Sequence, residues 1–317
     1  MSLRILFFGN SEGQFSNRFF EVFLVAPCQL AGVVDVPPAR RTSTNKPISQ
    51  DTLSFVLTAR RLGLPVFEPA SPNAPEFVQA ARALAPDLLV AVGYTNLLKA
   101  DILSVPRLMA VNFHASLLPA YRGKHPVFWA LRHGEKYAGL TVHVMDPELD
   151  KGDILYQVKV ATRRTDTVTS LYNRIIERSL PVVDRLVADA ASGSLKPRPQ
   201  PSEDASYFSA VTEEDFHLDW SWPADKLQRY IQTTPGRCYA DFAGLRLYFL
   251  DAQVKPNNTQ KVAGTLLHFG QTCCIVAAGS GALRVRRATK APGEDSPVFV
   301  MRQICRELGL KPGGSVA

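Results

Sequence analysis

The sequence predicts an α/β protein in which a mostly parallel sheet with helices on both faces precedes a smaller β-rich domain. Three observations predict it: segments that alternate between strand and helix patterns along roughly the first 190 residues, a proline-rich break, and short strand-like runs beyond the break. The 317 residues, 46% hydrophobic and 21% charged, are enough for about two globular domains. No apolar run approaches the roughly 18 residues of a membrane span, so no membrane association is expected.

The first part of the chain alternates short apolar runs, which predict strands, with apolar residues at helical spacing. Pro75 is at the start of one helix, where a first turn favours it, and Pro181 should kink or split the longest helix. Such alternation is typical of βαβ units, which form a Rossmann-like sheet. The predicted strands are 3–8, 30–36, 65–67, 87–92, 110–113, 140–145 and 154–160, and the predicted helices are 15–25, 49–62, 75–85 and 168–191.

The amino-acid composition changes after the first 192 residues. A segment with three prolines and almost no apolar residue predicts a linker at 193–207. We therefore expect an N-terminal domain at 1–192 and a second domain at 208–317. One short helix and several strand-like runs in the second domain are typical of a small β-barrel of the OB-like type. The helix is predicted at 224–233 and the strands at 246–250, 264–268, 272–277 and 283–286.

Cysteine usage and charge limit the classes of protein. The five cysteines are odd in number and have no Cys-x-x-Cys spacing, which predicts reduced thiols in a cytoplasmic protein. The apolar N-terminus lacks a basic region and a cleavage site, so we interpret it as a first strand and not a signal peptide. The formal net charge of +7 is compatible with a polyanionic partner but too small to establish one.

Polar residues follow two of the predicted strands. Asn112 and His114 are two positions apart at the end of one strand, so their side chains share a face. Asp146 and Asp150 belong to an acidic loop after another strand. An amide can donate to a developing oxyanion, an imidazole can move a proton, and a carboxylate can orient the imidazole. From the residues alone, a strand cap for Asn-x-His and a turn for the acidic loop remain open alternatives.

Residues 111–155 read VNFHASLLPAYRGKHPVFWALRHGEKYAGLTVHVMDPELDKGDIL. This stretch closely resembles the core of the 10-formyltetrahydrofolate-dependent formyltransferase family, which includes members acting on methionyl-tRNA, glycinamide ribonucleotide and amino sugars. The family pattern is Asn-x-His-x-Ser-Leu-Leu-Pro with an Asp 38 positions after the Asn, which is Asp150 here. Weaker similarity in 216–231 and 263–285 points to the C-terminal β-barrel domain of the tRNA-acting members.

The resemblance implies roles for individual residues. Asn112, His114 and Asp150 become the catalytic residues: Asn112 and a protonated His114 stabilise the oxyanion, while Asp150 keeps His114 charged and oriented. The formyl donor is 10-formyltetrahydrofolate, used as a co-substrate, and the chemistry needs no metal. An apolar slot with a few polar groups suits a flat pterin ring. The residues that the resemblance assigns to donor binding are Tyr94, Asn96, Leu98, Ser116, Leu117, Leu118, Pro119 and Asp146.

Three acceptor hypotheses remain open. Initiator methionyl-tRNA is favoured by the two-domain length, the positive charge and a loop with Arg40 and Arg41, where the tRNA-acting members carry a basic loop. A small amine such as a nucleotide-linked amino sugar is favoured by departures from the tRNA-type pattern, which make Lys124 and His125 candidates for an acceptor pocket. The third hypothesis is a hydrolase that releases formate. No obligate protein partner is expected.

Overall fold

The computed structural model describes residues 2–37, 54–256, 261–293 and 296–316. The chain forms two compact units that alternate along the sequence. The first comprises Met1–Val127, Tyr137–Ala161 and Tyr172–Ser209, and the second comprises Phe128–Lys136, Thr162–Leu171 and Ala210–Ala317. The predicted linker at 193–207 thus lies within the first unit, and the predicted domain limits remain a prediction. Within the described ranges, no helix is both long and apolar enough to cross a bilayer.

The first unit contains a seven-stranded sheet of order β3-β2-β1-β4-β5-β7-β8. Neighbours from β3 to β5 pair in parallel, whereas β5–β7 and β7–β8 pair antiparallel. All seven predicted strands are therefore confirmed in a mostly parallel sheet. These strands are β1 Arg4–Gly9, β2 Gln29–Asp35, β3 Val66–Phe67, β4 Leu88–Val92, β5 Met109–His114, β7 Tyr137–Val144 and β8 Ile154–Ala161.

Helices cover both faces of this sheet because its strands, buried on both sides, alternate apolar side chains between the faces. Phe7 contacts the α1 ring Phe20 on one face, with ring centroids 5.4 Å apart. Its neighbour Phe8 contacts the α3 ring Phe77 on the other face at 6.2 Å. The helices that precede β7 in the chain are α1 Gln14–Val25, α2 Phe55–Arg61, α3 Pro75–Ala83, α4 Ala100–Leu103 and α5 Pro126–His133.

The long helical pattern at 168–191 forms two helices, α6 Val168–Ser179 and α7 Val182–Ser192. The break falls at Pro181, which lacks the N–H that a continuous helix needs and clashes with the preceding turn. Helix α7 ends at Gly193, whose φ of 71° is the left-handed conformation that commonly terminates a helix. Part of the helix predicted at 49–62 lies outside the described residues, and α2 accounts for the remainder.

The β-rich character predicted for the second unit is confirmed. Its strands form two four-stranded antiparallel sheets, of order β10-β11-β16-β17 and β12-β15-β14-β13. The predicted helix is present as α8 Ala224–Thr233, and α9 Met301–Glu307 follows the last strand. The strands are β10 Tyr239–Phe242, β11 Leu245–Phe249, β12 Ala252–Lys255, β13 Leu266–Phe269, β14 Cys274–Ala277, β15 Ala282–Val285, β16 Arg287–Thr289 and β17 Val298–Val300.

Two very short strands complete the first unit. Strand β6 Arg122–Gly123 pairs in parallel with β9 Tyr207–Phe208. The sequence did not predict either strand, because two residues carry too little periodicity to identify a strand. Their pairing joins the loop after β5 to the end of the predicted linker.

Candidate active site

Asn112 and His114 lie on the same face of β5, as their spacing predicts. The intervening Phe113 points to the opposite face, where its ring centroid is 5.0 Å from that of Phe19 in α1. Asn112 is half-buried and His114 is buried. The strand therefore presents an amide and an imidazole side by side on the sheet face that does not contact α1.

Asp150 reaches these two residues from the loop between β7 and β8. Its Oδ1 lies 3.7 Å from Nδ1 of His114, and its Oδ2 accepts a hydrogen bond from the backbone N–H of Gly123 at 2.9 Å. Asp150 is only 6% exposed and has a φ of 56°, in the left-handed region that few non-glycine residues adopt. The structure thus brings together the three residues that the resemblance identifies as catalytic.

The loop that carries Asp150 does not follow a strand parallel to β5. Strand β7 is antiparallel to β5, with His143 opposite Asn112 and Thr141 opposite His114. The carboxyl end of β7 is therefore at the amino-terminal side of β5, and the 145–153 loop carries Asp150 back along the same face.

Sequence reasoning missed His143, which completes this group. Its Nδ1 lies 2.8 Å from the carbonyl oxygen of Val144 and must donate, since a carbonyl only accepts. Its Nε2 then accepts from the amide Nδ2 of Asn112 at 3.2 Å and lies 3.5 Å from Oδ1 of Asp150. The alternation of Thr141, Val142 and His143 along a strand indicates the face that His143 shares with Thr141, but not its partner on β5.

The ring of His114 is oriented by the backbone. Its Nε2 donates to the carbonyl oxygen of Tyr121 at 2.8 Å, which leaves Nδ1 facing Asp150. Burial lowers the pKa of His114, and the charge of Asp150 and the Tyr121 carbonyl oppose this effect without cancelling it. In the free protein at neutral pH, His114 is therefore mainly the neutral imidazole and not the protonated ring that the resemblance implies, and its Nδ1 is available to accept a proton.

Asp150 stays ionised despite its burial. Burial raises the pKa of this carboxyl, but the attraction of His114 and the hydrogen bond from the N–H of Gly123 act against burial, and the pKa lies below its ordinary value. A buried carboxylate of this kind favours positive charge on the imidazole beside it. The pair can therefore hold a proton that reaches His114 during a reaction.

The 116–119 segment predicted to bind the donor is an ordered loop. Ser116 Oγ donates to the carbonyl oxygen of Ala120 at 2.7 Å, and the Leu118 N–H donates to Thr141 Oγ1 at 3.0 Å. Ser116, Leu118 and Pro119 are buried, whereas Leu117 is half-buried. The loop backbone is thus held in place next to His114.

Two of the other residues predicted to bind the donor, Tyr94 and Leu98, lie on the same sheet face. Tyr94 and Leu98 pack in one apolar cluster with Met145, the residue before Asp146. Leu98 is 2% exposed and part of the core, Asn96 is half-buried, and Asp146 is exposed. Two large apolar side chains in these loops remain open to solvent: Leu97 is 55% exposed and Leu149 is 46% exposed.

The predicted acceptor residues divide into two groups. Arg40 and Arg41 lie outside the described residues. Lys124 and His125 follow β6, where the Lys124 N–H donates to the carbonyl oxygen of Phe208 at 2.9 Å. His125 has a left-handed φ of 55°, and burial together with the charge of Lys124 lowers its pKa. Lys124 and His125 therefore lie one and two residues beyond Gly123, the N–H donor to Asp150.

The part of the chain that the structure describes contains no group of three or more His, Cys, Asp or Glu side chains that could hold a metal ion. All five cysteines are free thiols.

Comparison with known proteins agrees with this geometry. The formyl transferase family model matches residues 4–183, and the model of the formyl transferase C-terminal domain matches residues 210–298. The methionyl-tRNA formyltransferase of Synechococcus sp. (strain JA-3-3Ab) is 31% identical over 304 residues, covering 92% of each chain. The methionyl-tRNA formyltransferase of Pseudomonas savastanoi pv. phaseolicola (strain 1448A / Race 6) is 34% identical over 289 residues, covering 90% of this chain and 89% of that protein.

A solved structure has a similar fold. The N-formyltransferase from Helicobacter canadensis, in complex with folinic acid and dTDP-3-aminofucose, superposes with a TM-score of 0.66 over 90% of this chain and 99% of that chain, at 12% identity. The family models cover both the segment that holds Asn112, His114 and Asp150 and the β-rich segment, and the two relatives match about nine-tenths of the chain. The chain therefore belongs to the formyl transferase family and is a formyltransferase.

Proposed function

We propose that this enzyme transfers the formyl group of 10-formyltetrahydrofolate to the amino group of methionyl-tRNA. The observation that carries the proposal is the grouping of Asn112, His114 and Asp150 on one face of the sheet, with Asp150 Oδ1 3.7 Å from the His114 ring. An amide donor can stabilise the oxyanion of acyl transfer, a neutral imidazole can accept the proton of the amine, and an ionised carboxylate can stabilise the imidazolium. The similarity to methionyl-tRNA formyltransferases across about nine-tenths of the chain supports the choice of acceptor.

In the proposed reaction, the amine nitrogen bonds to the formyl carbon and the carbonyl electrons move to oxygen. The Asn112 amide donates a hydrogen bond to this oxyanion, and His143 holds the amide by accepting its other hydrogen. His114 accepts the proton of the attacking amine on Nδ1 and becomes the imidazolium, which Asp150 stabilises. The oxyanion then re-forms the carbonyl as the carbon–N10 bond breaks, and the imidazolium protonates N10. The products are the N-formylated amine and tetrahydrofolate, and His114 is neutral again.

We place the donor against two loops: the loop after β4, which contains Leu97, and the loop after β7, which contains Leu149. Leu97 and Leu149 expose apolar surface on which a pterin ring can lie, and burying such surface favours binding by about 25 cal/mol per Å². The 116–119 loop, held by Thr141, supplies backbone groups beside His114. Tyr94, Asn96 and Asp146 complete the set that we assign to the donor site.

A second candidate acceptor is a nucleotide-linked amino sugar. It is favoured by Lys124 and His125, which immediately follow the strand that contacts Asp150 and which depart from the tRNA-type pattern. We rank it below methionyl-tRNA because the two relatives that match about nine-tenths of the chain are methionyl-tRNA formyltransferases. Arg40 and Arg41 remain our candidates for tRNA contact.

The experiment is an acceptor panel at fixed 10-formyltetrahydrofolate, in which tetrahydrofolate production is followed spectroscopically. Parallel reactions contain initiator methionyl-tRNA, unacylated initiator tRNA, an amino-sugar nucleotide or no acceptor. Product formation only with methionyl-tRNA is the expected result. Product formation only with the sugar nucleotide refutes the tRNA acceptor, and equal rates with and without acceptor identify a hydrolase.

A further inference from the structure

Residues 193–207, predicted as a linker, lie against the catalytic loops. We call this segment the connector. Arg198 exchanges two backbone hydrogen bonds with Ile154 at the start of β8, at 2.7 and 2.9 Å. At its other end, the connector leads into β9, which pairs with β6. The connector is therefore hydrogen-bonded, at both ends, to elements that border the loops of Asp150 and Tyr121.

Between these two attachments, the side chain of Gln200 makes four hydrogen bonds. Its Nε2 donates to the carbonyl oxygens of Asp150 and Gly152, both at 2.7 Å. Its Oε1 accepts from Nη2 of Arg122 at 2.7 Å and from Nε at 3.2 Å. Since carbonyl oxygens only accept and a guanidinium only donates, these partners determine which way the amide points. Both hydrogens of Nε2 and the oxygen are used.

The four hydrogen bonds link two segments. The first is the loop that contains Asp150, whose backbone carbonyls accept from Gln200. The second is β6, where Arg122 donates to Gln200 and the next residue, Gly123, donates its N–H to Asp150 Oδ2. Gln200 thus connects the backbone of the catalytic aspartate with the strand that binds its carboxylate.

The Asp150 loop depends on such outside contacts. Asp150 adopts a left-handed φ of 56°, which an ordinary side chain adopts only when its surroundings enforce it. Gly152 passes so close to β7 that an added Cβ would lie 1.9 Å from the carbonyl oxygen of Val144. The carbonyls that flank this tight passage, those of Asp150 and Gly152, are the two that Gln200 contacts.

We propose that Gln200 is a positioning residue for formyl transfer: its amide holds the Asp150 backbone so that the carboxylate stays between His114 and His143. The kinetic part of this proposal rests on the proposed function. The four hydrogen bonds of the Gln200 side chain go to Arg122 and to two backbone carbonyls, and none goes to a catalytic side chain, so its effect passes through Asp150. The connector is then part of the catalytic apparatus and not only a link in the chain.

The kinetic test compares Gln200→Glu and Gln200→Met with Glu203→Gln, an exposed connector residue, all in the full chain. In Gln200→Glu, one carboxylate oxygen can still accept from Arg122, but the other faces the carbonyl oxygens of Asp150 and Gly152 and repels them. In Gln200→Met, the side chain has a similar length but makes none of the four hydrogen bonds. We expect kcat with 10-formyltetrahydrofolate and methionyl-tRNA to fall by up to about a hundredfold in both, with KM for the donor nearly unchanged. Wild-type kcat in the Glu variant, or a loss in Glu203→Gln equal to that of Gln200→Met, overturns the proposal.

A readout that does not depend on activity is the titration of His114 by NMR in wild type, Gln200→Met and Asp150→Asn. The titratable groups facing His114 are Asp150 and His143, and only Asp150 raises the His114 pKa. If Gln200 positions Asp150, the His114 titration in Gln200→Met moves to lower pH, towards that of Asp150→Asn. An unchanged titration in a folded Gln200→Met protein refutes the role.

The two measurements also separate this inference from the proposed function. If wild-type protein shows no formyl transfer to methionyl-tRNA but Gln200→Met shifts the His114 titration, the acceptor assignment fails and the positioning role stands. If transfer is observed but neither kcat nor the titration responds to Gln200, the proposed function stands and the positioning role fails.

Discussion

His114 donates a hydrogen bond from Nε2 to the carbonyl oxygen of Tyr121 at 2.8 Å. This contact decides the direction of proton movement in the site, because it leaves only Nδ1 free to accept a proton, and Nδ1 faces Asp150. Tyr121 has a left-handed φ of 62°, and its own N–H donates to Ser206 Oγ at 2.9 Å. The orientation of the His114 imidazole therefore depends on backbone geometry well outside β5.

Replacing Asn112 tests its role as an oxyanion donor. Asn112→Ala removes the amide, and we expect kcat to fall by about 10²–10³, the range for loss of one such donor. Asn112→Asp places a negative charge beside the developing oxyanion and should lose at least as much activity. Thermal unfolding should change little, since Asn112 is only half-buried. Single-turnover formyl transfer measures the loss, and a near-normal rate in Asn112→Ala would exclude the oxyanion role.

Asp150→Asn changes the pH dependence as well as the rate. The negative charge of Asp150 raises the pKa of His114, whereas burial lowers it. Without that charge the pKa of His114 falls further, so the neutral ring persists to lower pH. The acidic limb of the kcat/KM profile should therefore move to lower pH, while the maximal rate falls by about 10². A limb that moves to higher pH contradicts the assigned pair.

His143 is expected to act through Asn112. His143→Phe removes the acceptor of the Asn112 amide, and the loss of one hydrogen bond of about 1.4 kcal/mol corresponds to a roughly tenfold lower kcat. His143→Gln is the matched variant, since its side-chain oxygen can accept from the amide and should restore part of the rate. Steady-state kinetics distinguish them. Equal losses in both variants would mean that His143 does not orient Asn112.

Gly123→Ala tests the close pairing of β6 with β9. Gly123 has a φ of 93°, and an added Cβ would lie 2.2 Å from the carbonyl oxygen of Phe208. The control is Gly63→Ala, which has a φ of 68° but no atom within 4 Å of the added Cβ. Urea unfolding should show a loss well above about 1 kcal/mol for Gly123→Ala and about 1 kcal/mol for Gly63→Ala. Equal losses in the free energy of unfolding would show that β9 moves away from the added methyl group without destabilising the fold.

Features of short range were predictable from the sequence. The period of two placed Asn112 and His114 on one face, and helical spacing located α1, α3 and α8. Pro181 predicted the split between α6 and α7 because it lacks an N–H donor. The position of Asp150 followed from a family pattern, since nothing in the local spacing of 38 residues brings a carboxylate to an imidazole.

Features of long range were decided by the tertiary structure alone. Apolar periodicity is the same in parallel and antiparallel strands, so the sequence could not reveal that β7 runs against β5 and places His143 opposite Asn112, 31 positions away. Low hydrophobicity made residues 193–207 resemble a linker, yet Gln200 contacts the Asp150 backbone across 50 positions by hydrogen bonds alone. Hydrogen bonds of this kind cannot be predicted from the pattern of hydrophobic residues in the sequence. Local steric and hydrophobic rules thus determined the elements and the face of the site, and only folding brought together the polar groups that orient it.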